Sequence, residues 1–104
     1  MNILISTLKE ELATSKKLEA KYLQQLALLP KGSFIIRKRG IKQYGYLTQR
    51  HSNKVIQEYL GLLSEQQIKD YREKTRKKKN YKQQLKTVRD QIKILTRALR
   101  GNTR

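Results

Sequence analysis

Between residues 31 and 54 the chain carries seven Lys and Arg side chains and no Asp or Glu, and Tyr44 and Tyr46 stand among them. Arg37, Lys38, Arg39, Lys42, Arg50 and Lys54 are the cations placed to act with those rings. An arginine fork pairs with a guanine edge or a phosphate, a lysine ammonium with a phosphate, and a tyrosine ring stacks on an unpaired base. The chemistry is recognition rather than bond making, and the partner it suits is a polyanion. A second concentration is Arg76-Lys77-Lys78-Lys79, with Lys74 before it and Lys82 after it. Four consecutive bases on a helix point around more than one side, so some project away from any packed seam. They suit phosphate contacts, which give affinity and salt dependence but little sequence information. A third set, Lys82, Lys86, Arg89, Lys93, Arg97 and Arg100, recurs at three and four and forms a stripe along one helix. Such a stripe also suits an anionic membrane surface, although the apolar seam beside it has a partner within the chain. Each set has a plainer reading as well: tyrosines on strands commonly serve packing, and charge on a helix is commonly only solvated.

Catalytic constellations are not visible. His51 is the one histidine, in a turn, where a lone imidazole is ordinarily a solvated turn residue. The acids are scattered, without the clustered carboxylates that hold a divalent metal. Pro30-Lys31-Gly32-Ser33 precedes a strand, not a helix, so it reads as a helix stop and not as a phosphate loop. Cysteine is absent, which removes disulfides and thiolate chemistry and fits a reducing compartment. The sequence therefore predicts a protein that is not an enzyme and takes no cofactor or metal.

The elements that must position these side chains follow from the periodicity. Ile5, Leu8, Leu12, Ser15, Tyr22, Leu26 and Leu29 step by threes and fours, with Glu19 breaking the series, and this predicts a helix over 5–29. Pro30 and Gly32 stop it. From 33 to 61 β-branched and aromatic residues enter, and three strands are predicted: Ser33 to Arg39, Gln43 to Arg50, and Lys54 to Leu60, joined by tight turns into an antiparallel meander. Side chains alternate across a sheet, so Phe34 and Ile36 share one face, and Ile35, Arg37 and Arg39 the other. On the second strand Tyr44, Tyr46, Thr48 and Arg50 lie together, opposite Gly45, Leu47 and Gln49. One face is thus apolar and the other basic and aromatic. Ser64-Glu65-Gln66-Gln67 has the form of a capping box opening a second helix over 65–100. Tyr81, Leu85, Val88, Ile92, Leu95 and Leu99 give that helix a coiled-coil seam. Two long helices with matched seams, separated by a compact meander, pair antiparallel, which predicts an α+β fold in one domain over 1–104. With 104 residues, 37% of them hydrophobic, the core is thin. The narrow seam leaves a homodimer through further helices open.

Leu29-Pro30-Lys31-Gly32-Ser33, Tyr44-Gly45-Tyr46-Leu47 with Arg50, and Glu58-Tyr59-Leu60-Gly61 resemble an uncharacterised family of small basic helix–meander–helix proteins from bacteria and their mobile elements. The Tyr-x-Tyr-Leu and Tyr-Leu-Gly pieces are similar to the N-terminal hairpins of certain transposases and to the three-stranded arm-binding domains of integrases. The resemblance implies a mobile-element or phage setting and a DNA-related role.

A formal charge of +17 repels the chain from itself unless a polyanion neutralises it. No apolar run approaches the ~20 residues of a membrane span, and the first residues carry no basic leader, so a cytoplasmic location in a bacterial or phage-infected cell is expected. The leading reading is a nucleic-acid-binding protein, DNA before RNA. A phage-encoded inhibitor of the anti-CRISPR kind, bound to a nucleoprotein effector or its guide RNA, is the alternative. A purely structural dimerisation module is the third.

Overall fold

The structure, a computed structural model, describes residues 3–102. In chain order its elements are α1 (Ile3–Ala27), β1 (Ser33–Arg39), β2 (Lys42–His51), β3 (Lys54–Leu62) and α2 (Glu65–Asn102). Two long helices with a three-stranded antiparallel sheet between them in the sequence make the α+β architecture that the periodicity predicts. Their contacts divide into two compact units. One is formed by α1 with α2 from Asn80 onward, the other by Leu29–Lys79. The helix α2 contributes to both.

In the first unit the two apolar seams meet. Leu85 and Val88 are buried on α2 and Ser15 on α1. Tyr22 packs on Tyr81 with ring centroids 6.1 Å apart, and Glu19 accepts a hydrogen bond from Arg89 Nε at 3.1 Å. Glu19, the residue that interrupts the α1 seam, is thus met by a cation from the opposite helix. The pairings Tyr22 with Tyr81 and Glu19 with Arg89 run in opposite chain directions, so the helices are antiparallel. The helix α1 ends at Ala27, two residues before the predicted stop, and the Leu28 N–H bonds back three residues to the Gln25 carbonyl at 3.2 Å. That tightened last turn is how a helix commonly satisfies its final carbonyls ahead of a proline.

In the second unit the strands lie in the order β1-β2-β3. Two-residue turns join them, because Arg39 pairs with Lys42 and His51 with Lys54. The register sets Phe34 against Leu47 and Ile36 against Gly45, which puts all four on one face. That face receives the first turns of α2: the Phe34 and Tyr71 ring centroids are 4.9 Å apart, and Leu47, Leu63 and Ile68 are buried. Gly45 is where the approach is closest. A Cβ built there would run into the Leu63 side chain, so only glycine lets Leu63 fill that point of the core. The third strand runs two residues beyond its predicted end because Gly61 does not break it. The pairing shifts between Gly45 and Tyr46 so that Leu60 is the extra residue of a β-bulge, and Gly61 there takes φ +92°, a conformation other residues rarely accept.

The capping box is formed in both directions: Ser64 N–H donates to Gln67 Oε1 at 2.9 Å and Gln67 N–H to Ser64 Oγ at 3.2 Å. The helix then continues unbroken through the run of bases from Lys74 to Lys79.

Two substitutions test this account. Ser64→Ala removes one of the reciprocal cap bonds and is expected to lower stability by about 1 kcal/mol. Gly45→Ala is expected to cost about 1–3 kcal/mol by overpacking, and combined with Leu63→Ala to cost less than the sum of the two. Urea denaturation followed by circular dichroism checks both, and strict additivity of the second pair would contradict the packing described.

Candidate nucleic-acid interface

Since one face of the sheet meets α2, the residues that alternate with it form the other. Directly paired residues share a face, and the register therefore assembles the open face strand by strand. Ile35 pairs with Tyr46, Arg37 with Tyr44, and Arg39 with Lys42. Tyr46 pairs with Tyr59, Thr48 with Gln57, and Arg50 with Val55. At its middle stand three tyrosines from two strands. Tyr59 lies 5.3 Å from Tyr46 and 6.4 Å from Tyr44 between ring centroids, the second pair stacked with an interplanar angle of 28°. Arg37 Cζ sits over the Tyr46 ring, 5.2 Å from its centroid. A guanidinium attracted to a ring face in this way can still offer N–H groups to an external acceptor.

This face is solvated. Tyr59 is 58% exposed and Val55 60%, while Tyr44, Tyr46 and Thr48 nearer its middle are half-buried. Arg37, Arg39, Lys42 and Arg50 are all exposed. None of the residues placed on it is acidic: Glu58, the only acid in the three strands, pairs with Leu47 and so belongs to the face that meets α2. Four cations around a tyrosine cluster, with no carboxylate on the same surface, create a positive potential that no acid on that face offsets.

Six of the twelve residues singled out in the sequence are brought together here, namely Arg37, Arg39, Lys42, Tyr44, Tyr46 and Arg50. The other six are placed elsewhere. Lys38 pairs with Gln43 and Lys54 with His51, so both alternate to the opposite face. Arg76, Lys77 and Lys79 are exposed but stand on α2, the helix behind the sheet, and the Lys77 ammonium is 3.9 Å from Glu73. Lys78 is half-buried, and its Nζ donates to the carbonyls of Pro30 and Gly32 at 3.2 Å each. Its charge holds the entry to β1 against α2. Arg37, Arg39, Lys42 and Arg50 thus stand on the side of the sheet away from the helix cations.

Tyr59 is the site residue that sequence reasoning passed over. The signal was present in the alternation of Val55, Gln57 and Tyr59, but only the pairing with Tyr46 shows which face that alternation reaches.

Comparison with family models, with curated proteins and with solved structures finds no match for this chain. Among the described residues no helix is long and apolar enough to cross a membrane.

The division between holding and displaying cations is open to measurement. Lys78→Met should lower stability by about 1–3 kcal/mol, because hydrogen bonds to a charged donor are lost and two carbonyls are left. Lys77→Met and Lys79→Met should each change it by less than about 0.5 kcal/mol, as surface substitutions do. Thermal unfolding of the three variants provides the comparison, and equal losses would refute a structural role for Lys78.

Proposed function

We propose that the open face of the meander binds nucleic acid, and that duplex DNA is its preferred form. The observation that carries this reading is the acid-free surface on which Arg37, Arg39, Lys42 and Arg50 surround Tyr44, Tyr46 and Tyr59. Strands lie about 4.8 Å apart, so three of them span about 10 Å, close to the ~12 Å width of the B-DNA major groove. A-form RNA has a deep and narrow major groove that side chains do not enter. The arginines can then take guanine edges or phosphates, and exposed Ile35 and Val55 can meet thymine methyl groups.

Binding to unpaired bases is the second reading, favoured by the exposure of Tyr59. The arrangement of the rings tells against it as the main mode. Tyr59 leans on both of its neighbours and Arg37 already occupies Tyr46, which leaves fewer ring faces for bases to stack on than three separate tyrosines would offer. This reading places the protein in the cytoplasm of a bacterial or phage-infected cell, as the resemblance to mobile-element proteins implies.

A salt series with duplex and single-stranded DNA of the same sequence tests the proposal. Four phosphate contacts would give the sheet face a slope of log K against log salt of about −3.6 on duplex. Arg39→Gln, Lys42→Gln and Arg50→Gln together are expected to make the whole-chain slope shallower by about 2.7. Tyr59→Ala should weaken single-strand binding by about 1–3 kcal/mol only if bases stack there. An unchanged slope in the triple variant, or no binding to either DNA at low salt, would refute the sheet face as the interface.

A further inference from the structure

The helical unit separates its charge between its two flanks, and folding does not require this. On α2, the residues beside the seam on one side include Lys82, Lys86, Arg89 and Lys93, all exposed. On the other side stand Gln84, Thr87, Gln91, Ile94 and Ala98, without a single charge. The contacts confirm that these are two different sides. Leu26 of α1 lines a shallow groove with Lys82, Lys86, Arg89 and Lys93, and with the single acid Asp90, whereas Glu11 and Ser15 line one with Gln91 and Ile94. Counted along the α1 seam in sevens, Lys9 and Lys16 fall on the same side as the basic row, because like flanks face each other in an antiparallel pair.

A surface charged only for solubility intersperses both signs over every exposed side. Here the cations are crowded instead. Lys82 and Lys86, Lys86 and Arg89, and Arg89 and Lys93 are spaced at three or four, where like charges repel and weaken a helix. Two acids offset part of this: Glu19 pairs with Arg89, and Asp90 stands four residues after Lys86 and three before Lys93 in the same groove, which leaves the row strongly cationic. From Lys82 to Lys93 the row extends about 16 Å at 1.5 Å per residue. The same length of a DNA strand carries phosphates every 3.4 Å of rise, so a row of cationic groups of this length can meet several of them at once.

We propose that this flank of the helical unit is a second nucleic-acid surface, which contacts the phosphate backbone without reading bases and acts in addition to the sheet face. The identity of the ligand rests on the function proposed above, but the surface is separate and fails or stands separately. A lipid surface suits it less well. An interfacial helix must immerse an apolar face, and of the two leucines that line the groove with the row Leu85 is buried and Leu26 half-buried.

The test compares two variants of the full chain that change net charge equally. In one, Lys82, Lys86 and Lys93 are replaced by Gln; in the other, Gln84, Thr87 and Gln91 are replaced by Glu. Circular dichroism establishes that both are folded, and a conservative Lys→Arg triple at 82, 86 and 93 serves as the reference if the first is not. Binding to a duplex of arbitrary sequence is then measured across salt. The basic-flank variant is expected to make the slope shallower by about 2.7, the neutral-flank variant to leave it nearly unchanged, and the Arg triple to retain it. Equal effects of the two flanks would reduce the row to net charge and overturn the proposal, as would an unchanged slope. Vesicles of phosphatidylcholine with phosphatidylserine form the second arm. Vesicle binding that is lost in the basic-flank variant while its DNA slope is unchanged would assign the row to membranes and overturn the proposal. A slope altered by sheet-face substitutions alone leaves the sheet reading standing and removes this one; a slope altered by the row alone does the reverse.

Discussion

Within its unit a three-stranded sheet has two faces and a single helix to lay against them, and α2 covers one. Phe34 against Tyr71, with Leu47, Leu63 and Ile68 buried around them, uses the face on which Gly45 lets Leu63 approach. The residues that alternate with this core are consequently held in water. A sheet face that must stay in water is ordinarily built from small polar or mixed charged residues. This one carries three tyrosines and four cations, and no acid is placed on it. Tyrosine suits such a place because its ring supplies apolar area while its hydroxyl remains hydrated. The rings lean on one another, and Arg37 lies over one of them, so the surface is ordered before any partner arrives, which reduces the entropy that binding must overcome.

Charge couples this surface to stability. In the unit formed by Leu29–Lys79 fourteen Lys and Arg face four Asp and Glu, and the pair of Lys77 with Glu73, at 3.9 Å between exposed groups, is a kind of contact that contributes little. Any polyanion that binds the folded chain better than the unfolded one stabilises it by mass action. The interior of each unit is thin, and even its most buried side chains keep a few per cent of their surface. Binding of a polyanion at the proposed site would therefore be linked to folding.

Much of the architecture was legible because it is written in short-range periodicity. The seam of Tyr81, Leu85, Val88, Ile92, Leu95 and Leu99, the Ser64–Gln67 cap, and the alternation that separates Phe34 from Arg37 all depend on residues within a few positions of one another. What was not legible depends on partners far along the chain. Lys78 looked like one of four equivalent bases, yet its ammonium is held by carbonyls 46 and 48 residues away. Tyr59 joined the tyrosine cluster only through its pairing with Tyr46, and Gly61, which reads as a strand end, is the bulge that lets the strand continue. Lys38 and Lys54 differ from Arg37 and Arg50 by the side to which they alternate, which composition does not record.

The central claim is that, within the unit formed by Leu29–Lys79, the ligand meets the open face of the sheet and not the part of α2 behind it. Chemical-shift mapping by nuclear magnetic resonance, with a short DNA duplex titrated into labelled full-length protein, addresses this directly. The largest changes are expected at Arg37, Tyr44, Tyr46, Arg50 and Tyr59, with Phe34, Leu47 and Tyr71 little affected. Changes concentrated at Arg76, Lys77 and Lys79 while the tyrosine resonances of the sheet stay in place would contradict it.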